Sequence, residues 1–213
     1  MDRRKRKTRL AIQQAVAQLI TEKGFESMTI LDITERADIN RGTFYLHFVD
    51  KYDMLDQFEE ELVTKIKQAV LEHLAYDASA EDLIITRYPT LVNVLQCISD
   101  EKQILEILFQ TKGILSLQTQ MKDVFLQLFQ MDVLRDMETI STKVSPDFFV
   151  TILTSNLLGF AQYFLVSDEE MNPEKLAKTM LNVLINGPAR VGGLLKGNMI
   201  NVDEIIAQYD MKK

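Results

Sequence analysis

Histidine, cysteine, proline and glycine are all scarce in this 213-residue chain, and each scarcity removes a class of protein. A single cysteine, Cys97, excludes a disulfide framework and a cysteine-based zinc site, and it suits a reducing cytoplasm. The two imidazoles, His47 and His73, leave little material for acid–base or metal chemistry, and His73, beside Glu72, reads as a charge partner at a helix end. No glycine-rich phosphate loop or spaced metal-ligand cluster occurs, and Glu59, Glu60 and Glu61 read as a solvated run rather than facing carboxylates. No catalytic residue, metal or cofactor is expected. Four prolines and eight glycines, without alternating strand-like runs, point to an all-α protein. No apolar run reaches the ~18 residues of a membrane span, and the basic N-terminus leads into an amphipathic segment instead of a signal-peptide core. The expected location is the cytoplasm.

What the chain does have is apolar content, 46% of residues, enough to bury a sizeable core, and an uneven charge. The overall net charge of −7 would disfavour a nucleic-acid partner if it were spread evenly. Residues 1–51 instead carry ten Lys/Arg against seven Asp/Glu, and the remainder carries fourteen against twenty-four. A basic head on an acidic body suits local phosphate binding with the body held away from DNA. Residues 1–9 hold six cations, and Arg3, Arg4, Lys5, Arg6 and Lys7 form a candidate N-terminal arm for phosphate or minor-groove contact; a solvated tail is the plainer alternative.

The stretch from Met28 to Leu55 carries the most local information. A helix over 7–23, with Ile12, Ala15, Val16, Leu19 and Ile20 on one face, precedes it and ends at Gly24, well placed for a left-handed residue. Met28, Ile30, Ile33 and Ala37 then mark one short apolar helix, and Ile39, Phe44 and Phe48 mark another, with room between them only for a tight turn. Thr29, Asn40 and Asp50 are candidate N-caps for three successive helices, with Met28/Ile33, Ile39/Phe44 and Val49/Met54 at the hydrophobic-staple positions. This is the spacing of a helix-turn-helix, whose second helix can enter a major groove.

Thr29, Ile33, Ala37, Ile39, Asn40, Arg41, Gly42, Thr43, Phe44, Tyr45, His47, Phe48, Lys51 and Leu55 together resemble the DNA-binding signature of the TetR family of bacterial transcriptional regulators. Asp38 departs from the usual glycine in the turn, and Thr34 replaces a common alanine; aspartate tolerates the left-handed conformation better than most residues. The resemblance implies a three-helix DNA-binding head, residues 1–50, and a larger helical ligand-binding and dimerisation domain, residues 51–213, bridged by a helix over 51–74. On its recognition helix, Arg41 suits a guanine edge, Gly42 admits close approach, Thr43 suits a phosphate or a thymine methyl, Leu46 suits a thymine methyl, and Asn40 stands at the helix start. Tyr45 and His47 match phosphate-binding positions of the family, as do Thr29 and Lys51 at neighbouring helix N-termini. Phe44 and Phe48 read as core.

Beyond a loop at 77–80, Pro89 is placed to start a helix running to about 99, followed by helices over 100–111 and 117–131, a shorter one over 132–142, and a break at Ser145-Pro146. The segment 147–166 is apolar on nearly every side and reads as a helix buried all round; Gly159 would admit a neighbouring backbone. After the loop 167–173, a helix over 174–186 ends at Gly187-Pro188, and the tail 198–213 has room for one short helix. The last two long helices resemble the pair that forms a four-helix dimer interface in the family, here through Phe149, Ile152, Leu153, Leu157, Gly159, Phe160, Tyr163, Leu176, Met180, Val183 and Leu184. A monomeric core is the alternative. The family also usually encloses a small molecule in this domain, and Gln96, Cys97, Phe109, Met121, Phe125, Phe129, Phe149, Asn156 and Tyr163 are the candidate lining residues, with ordinary core packing as the alternative for each. Gln96 and Asn156 are singled out because a buried amide needs a partner.

The resulting expectation is a homodimeric DNA-binding regulator, a repressor released from a near-palindromic operator by a small-molecule effector. Control by a protein partner, absence of control, or a helical interaction module are the alternatives.

Overall fold

The apolar stripe at Ile12, Ala15, Val16, Leu19 and Ile20 becomes the buried face of α1 (Arg3–Lys23), which Gly24 ends with φ +76°. The computed structural model describes residues 3–72, 83–112, 114–128, 145–166, 172–187 and 200–210, with 191 and 198, and ten helices lie among them. After α1 come α2 (Ile30–Arg36), α3 (Arg41–Tyr45), α4 (Lys51–Glu72), α5 (Leu83–Asp100), α6 (Lys102–Thr111) and α7 (Ile114–Leu128). The remaining three are α8 (Pro146–Val166), α9 (Pro173–Asn186) and α10 (Val202–Asp210). The described residues contain no strand, and none of their helices is long and apolar enough to cross a membrane.

The chain forms two compact units, residues 1–64 with 101–120, and residues 65–100 with 121–213. In the first, α1 packs on α2 and α6, and α2 on α3. Its core gathers Met28, Ile33, Phe44, Phe48, Met54, Phe58 and Leu62 with the α1 stripe and with Ile104, Leu105 and Leu108 of α6. Phe48 lies between Phe44, 5.4 Å away, and Phe58, met edge-on at 5.8 Å, and these aromatic contacts seat the short α3 on α4.

Glu59 departs from the solvated run read from the sequence. It is 1% exposed, bonded to Lys112 at 2.6 Å and accepting the Ser116 hydroxyl at 2.8 Å. Glu61 bonds to Arg9, which also donates to Gln57 and lies 4.7 Å over the Phe48 ring, so this last cation of the basic N-terminal run belongs to the packing of α1 on α4. The segment 3–7 is the exposed first part of α1, not an extended arm: Lys and Arg are good helix formers, and the helix is anchored just beyond at Arg9.

In the second unit, α5 packs on α9 and α10, and α9 on α10. Leu181 of α9 with Val202 and Ile206 of α10 form a cluster against Tyr88 and Leu91 of α5. Asn186 seats the start of α10: it donates to the Ile200 carbonyl at 3.0 Å and accepts the Ile200 N–H at 2.8 Å. Pro89, expected to open a helix, lies inside α5, which starts at Leu83. An internal proline forfeits one i→i−4 bond and costs about 3 kcal/mol; burial of Val94, Leu95 and Ile98 on the same helix opposes that cost. The expected features at 77–80 and 132–142 lie outside the described residues.

Helix α8 is not buried all round within its own chain. Phe148 is 53% exposed, Ile152 40% and Tyr163 56%, and a Cβ built at Gly159 would meet nothing within 4 Å. Leu157 on α8, with Leu176 and Met180 on α9, faces inward and is core, so these three of the expected interface residues belong to the chain's own packing. Leu153, Phe160 and Val183 are half-buried, and Leu184 is exposed.

Candidate nucleic-acid interface

Local chemistry builds the turn that presents α3. Thr29 accepts the Asp32 N–H at 3.2 Å and Asp32 accepts the Thr29 N–H at 2.8 Å, a complete capping box. Met28 and Ile33 are both buried beside it. Asp38 adopts φ +52°, the left-handed residue of the turn, and the Ile39 N–H donates back to the Thr34 carbonyl at 3.0 Å. Asp50 caps α4, accepting the N–H groups of Tyr52 and Asp53 at 2.8 Å. Two expected details are corrected. Asn40 forms no side-chain cap; its carbonyl accepts the N–H groups of Thr43 and Phe44 while its side chain stays at the surface. Val49 is 76% exposed, so no staple buries it over Met54.

On α3 and the turn after it, Phe44 and Phe48 point inward and the polar residues point out. Arg41, Gly42, Tyr45 and Leu46 are exposed, Leu46 by 82%, and Thr43 and His47 are half-buried beside them. The Arg41 guanidinium donates to the Tyr45 hydroxyl at 3.1 Å and lies 5.6 Å from that ring, so the two are held as a unit one turn apart. Burial lowers the pKa of His47, and the nearby cations Arg9 and Lys5 push it the same way. Of the expected site residues on this segment, Arg41, Gly42, Tyr45 and Leu46 are thus exposed to solvent, with Thr43 and His47 partly so.

Lys51 is placed differently from a residue reaching outward. Its ammonium donates to the carbonyls of Phe25, Glu26 and Met28 at 3.0, 2.9 and 3.1 Å. Thr29 likewise spends its hydroxyl on Asp32. Sequence reading also missed the ties that brace α2 against α1: Arg36 bonds both oxygens of Glu22 at 2.7 Å, and Lys23 meets Asp32 at 2.7 Å. Arg36 in turn lowers the pKa of Glu22, and its own is raised. The partners lie on different elements, and no periodic pattern announces them.

The candidate effector residues differ in exposure along the described structure. Gln96 is exposed and donates to Asp100 at 2.8 Å, and Asn156, half-buried, donates to the Ile152 carbonyl one turn back. Neither is a buried amide awaiting a ligand. Met121 is buried, Cys97 and Phe109 are half-buried and Tyr163 is exposed. The side chains of Phe125, Phe129 and Phe149 lie outside the described residues. A surface cleft of about 460 Å³ on the second unit is lined by α9 and the start of α10, including Lys175, Lys178, Asn182 and Asp203, and by none of these candidates.

A capped helix, a tight left-handed turn and a short helix offering Arg41, Tyr45 and Leu46 outward make a helix-turn-helix, the arrangement whose second helix can enter a major groove. The chain belongs to the TetR family: the profile of bacterial regulatory proteins of the tetR family matches residues 12–58, and that of a transcriptional regulator C-terminal region matches residues 86–186. The helix-turn-helix-type transcriptional regulator YxbF of Bacillus subtilis is 23% identical over 185 residues, 86% of this chain and 46% of that protein. The transcriptional repressor KstR2 of Rhodococcus jostii is 31% identical over 87 residues, 39% of this chain and 43% of that one. The chain thus spans less than half the length of these curated relatives. Among solved structures, NalD, the secondary repressor of the MexAB-OprM multidrug efflux pump in Pseudomonas aeruginosa, shares the fold with a TM-score of 0.61 at 20% identity, covering 87% of this chain and 98% of that one.

Proposed function

We propose that this regulator is a homodimeric repressor that binds a near-palindromic operator and leaves it when a small molecule occupies its C-terminal unit. The observation that carries the reading is the exposed face of Arg41, Tyr45 and Leu46 over buried Phe44 and Phe48. Arg41 suits bidentate reading of guanine, Leu46 suits a thymine methyl, and Tyr45, Thr43 and His47 suit the flanking phosphates. The cations of residues 3–7 add sequence-independent affinity from the start of α1.

The apolar stripe Phe148, Ile152, Gly159 and Tyr163 along α8, with Leu184 on α9, supports two-fold pairing through these helices. Pairing sets two recognition helices about 34–36 Å apart on one face of DNA. KstR2 and NalD, both named as repressors, support the sign of regulation. Helix α4 contributes to both compact units and is the continuous element through which an effector would act on the head. A hundredfold loss of operator affinity needs about 2.7 kcal/mol of differential effector binding.

The test is selection of bound duplexes from a random DNA pool by the full chain at physiological salt. A near-palindromic consensus is the expected result, with Arg41→Ala losing five- to hundredfold in affinity and relaxing one position per half-site. Enrichment without a consensus would overturn the reading.

A further inference from the structure

Lys51 is the first residue of α4, and it faces away from the role its position suggests. An ammonium has three N–H donors. All three carbonyls that Lys51 meets, those of Phe25, Glu26 and Met28, lie within 2.9–3.1 Å. The donors are therefore filled by the turn between α1 and α2, beyond the carbonyl-rich C-terminal end of α1, where a cation is favoured. Around this contact, the ammonium sits 4.8 Å from the Phe25 ring centre and 5.4 Å from that of Tyr52. Phe25 and Tyr52 meet edge-on at 5.5 Å, and the Tyr52 hydroxyl donates to Glu26 at 3.3 Å.

The chain positions joined in this way matter. Met28 immediately precedes Thr29, the cap of α2, and Lys51 immediately follows Asp50, the cap of α4. The recognition segment 41–48 hangs between these two fixed points. The Lys51 contacts with Phe25, Glu26 and Met28 run across them.

We propose that Lys51 is a positioning residue for operator recognition, clamping the α1–α2 turn to the start of α4 so that α3 is presented in register, and that it is not a phosphate ligand. This rests on the operator-binding reading above. The two roles leave different traces. A phosphate ligand contributes to binding of any duplex, and its loss lowers the salt slope by about 0.9. A clamp contributes to the matched duplex alone and leaves the slope in place.

The experiment uses the full chain with Lys51→Gln, Lys51→Arg and Phe25→Leu, well below their melting temperatures and with circular dichroism verifying the fold. Binding to the selected consensus duplex and to an unrelated duplex of equal length is measured across salt concentrations. The expected result is about tenfold weaker consensus binding for Lys51→Gln, with unrelated-duplex affinity and salt slope unchanged. Lys51→Arg should not restore it, because a planar fork cannot meet the three carbonyls as an ammonium does. Phe25→Leu, which removes no charge, should show the same signature more weakly, and it decides the matter should Lys51→Gln fail to fold. A slope reduced by about one with rescue by arginine would overturn the proposal in favour of direct contact. Unchanged consensus binding in the folded Lys51→Gln and Phe25→Leu variants would overturn it in favour of a purely structural clamp. Failure of the wild-type chain to select any consensus would instead remove the operator reading, and the clamp's role with it.

Discussion

Glu59 and Lys112 are separated by fifty-three residues and meet at 2.6 Å, the carboxylate 1% exposed in the middle of α4 and the ammonium just past the end of α6. Ser116 of α7 donates to the second oxygen of Glu59, and Asp56, one turn earlier on α4, takes a further bond from Lys112 at 2.5 Å. A buried carboxylate is stable only with such partners. The network pins the α6–α7 corner to the part of α4 that carries the DNA-binding helices.

Lys112→Met should therefore destabilise the first compact unit by about 3 kcal/mol, because it leaves the Glu59 carboxylate buried with one neutral donor. Asp56→Asn should change stability by less than about 0.5 kcal/mol, since that carboxylate is largely solvated. Urea unfolding of the two variants compares them directly, and equal midpoints would contradict the ranking.

Acid should loosen the second helix. The Lys23 bond holds the Asp32 carboxyl well below the usual carboxylate range, and the Thr29 backbone N–H and hydroxyl add to it. A depressed folded-state pKa contributes stability that is complete above the unfolded value, about 3.9, and is lost as pH falls toward the folded one. Asp32→Asn should be less stable than wild type at pH 7 and should lose less on acidification below about pH 4. Thermal melts at pH 7, 4 and 3 would read this, and parallel losses would count against it.

Operator affinity should rise on mild acidification through His47. Burial, with the Arg9 and Lys5 charges, depresses its pKa in the free protein, so the imidazole is neutral near pH 7. A DNA phosphate beside it would raise that pKa, so binding takes up a proton and strengthens as pH falls through the interval between the two values, by at most about tenfold per pH unit. Fluorescence anisotropy from pH 8 to pH 6 at constant ionic strength should show this slope in wild type and a flatter one in His47→Gln. Parallel curves would remove His47 from the interface.

Ile152→Glu should convert a dimer to a monomer at micromolar concentration while costing the monomer fold less than about 1 kcal/mol, because Ile152 is already 40% exposed in the single chain. Sedimentation equilibrium gives the mass. An unchanged dimeric mass would place the interface elsewhere.

What could be read from the residues in order was the local part of this protein. The Thr29 capping box, the left-handed Asp38, Gly24 after α1 and the Asp50 cap all involve groups a few residues apart, so type and spacing suffice to place them. The inward Phe44 and Phe48 and the outward Arg41, Tyr45 and Leu46 follow from helical periodicity on that frame. Local rules failed where a distant contact outweighed them. Pro89 reads as a helix start, yet α5 passes through it; Glu59 reads as part of a solvated run, yet Lys112 and Ser116 bury it. Helix α8 shows the same limit, because a segment apolar all round does not say which apolar side its own chain covers. Composition, capping and periodicity alone pointed to an all-helical chain with a helix-turn-helix, and the regulator role came from the resemblance of that stretch to a family. Which charges are buried, which carbonyls Lys51 meets and which face of α8 stays open were decided only by tertiary packing, since those outcomes depend on partners more than twenty residues away or on other elements, where local spacing carries no information.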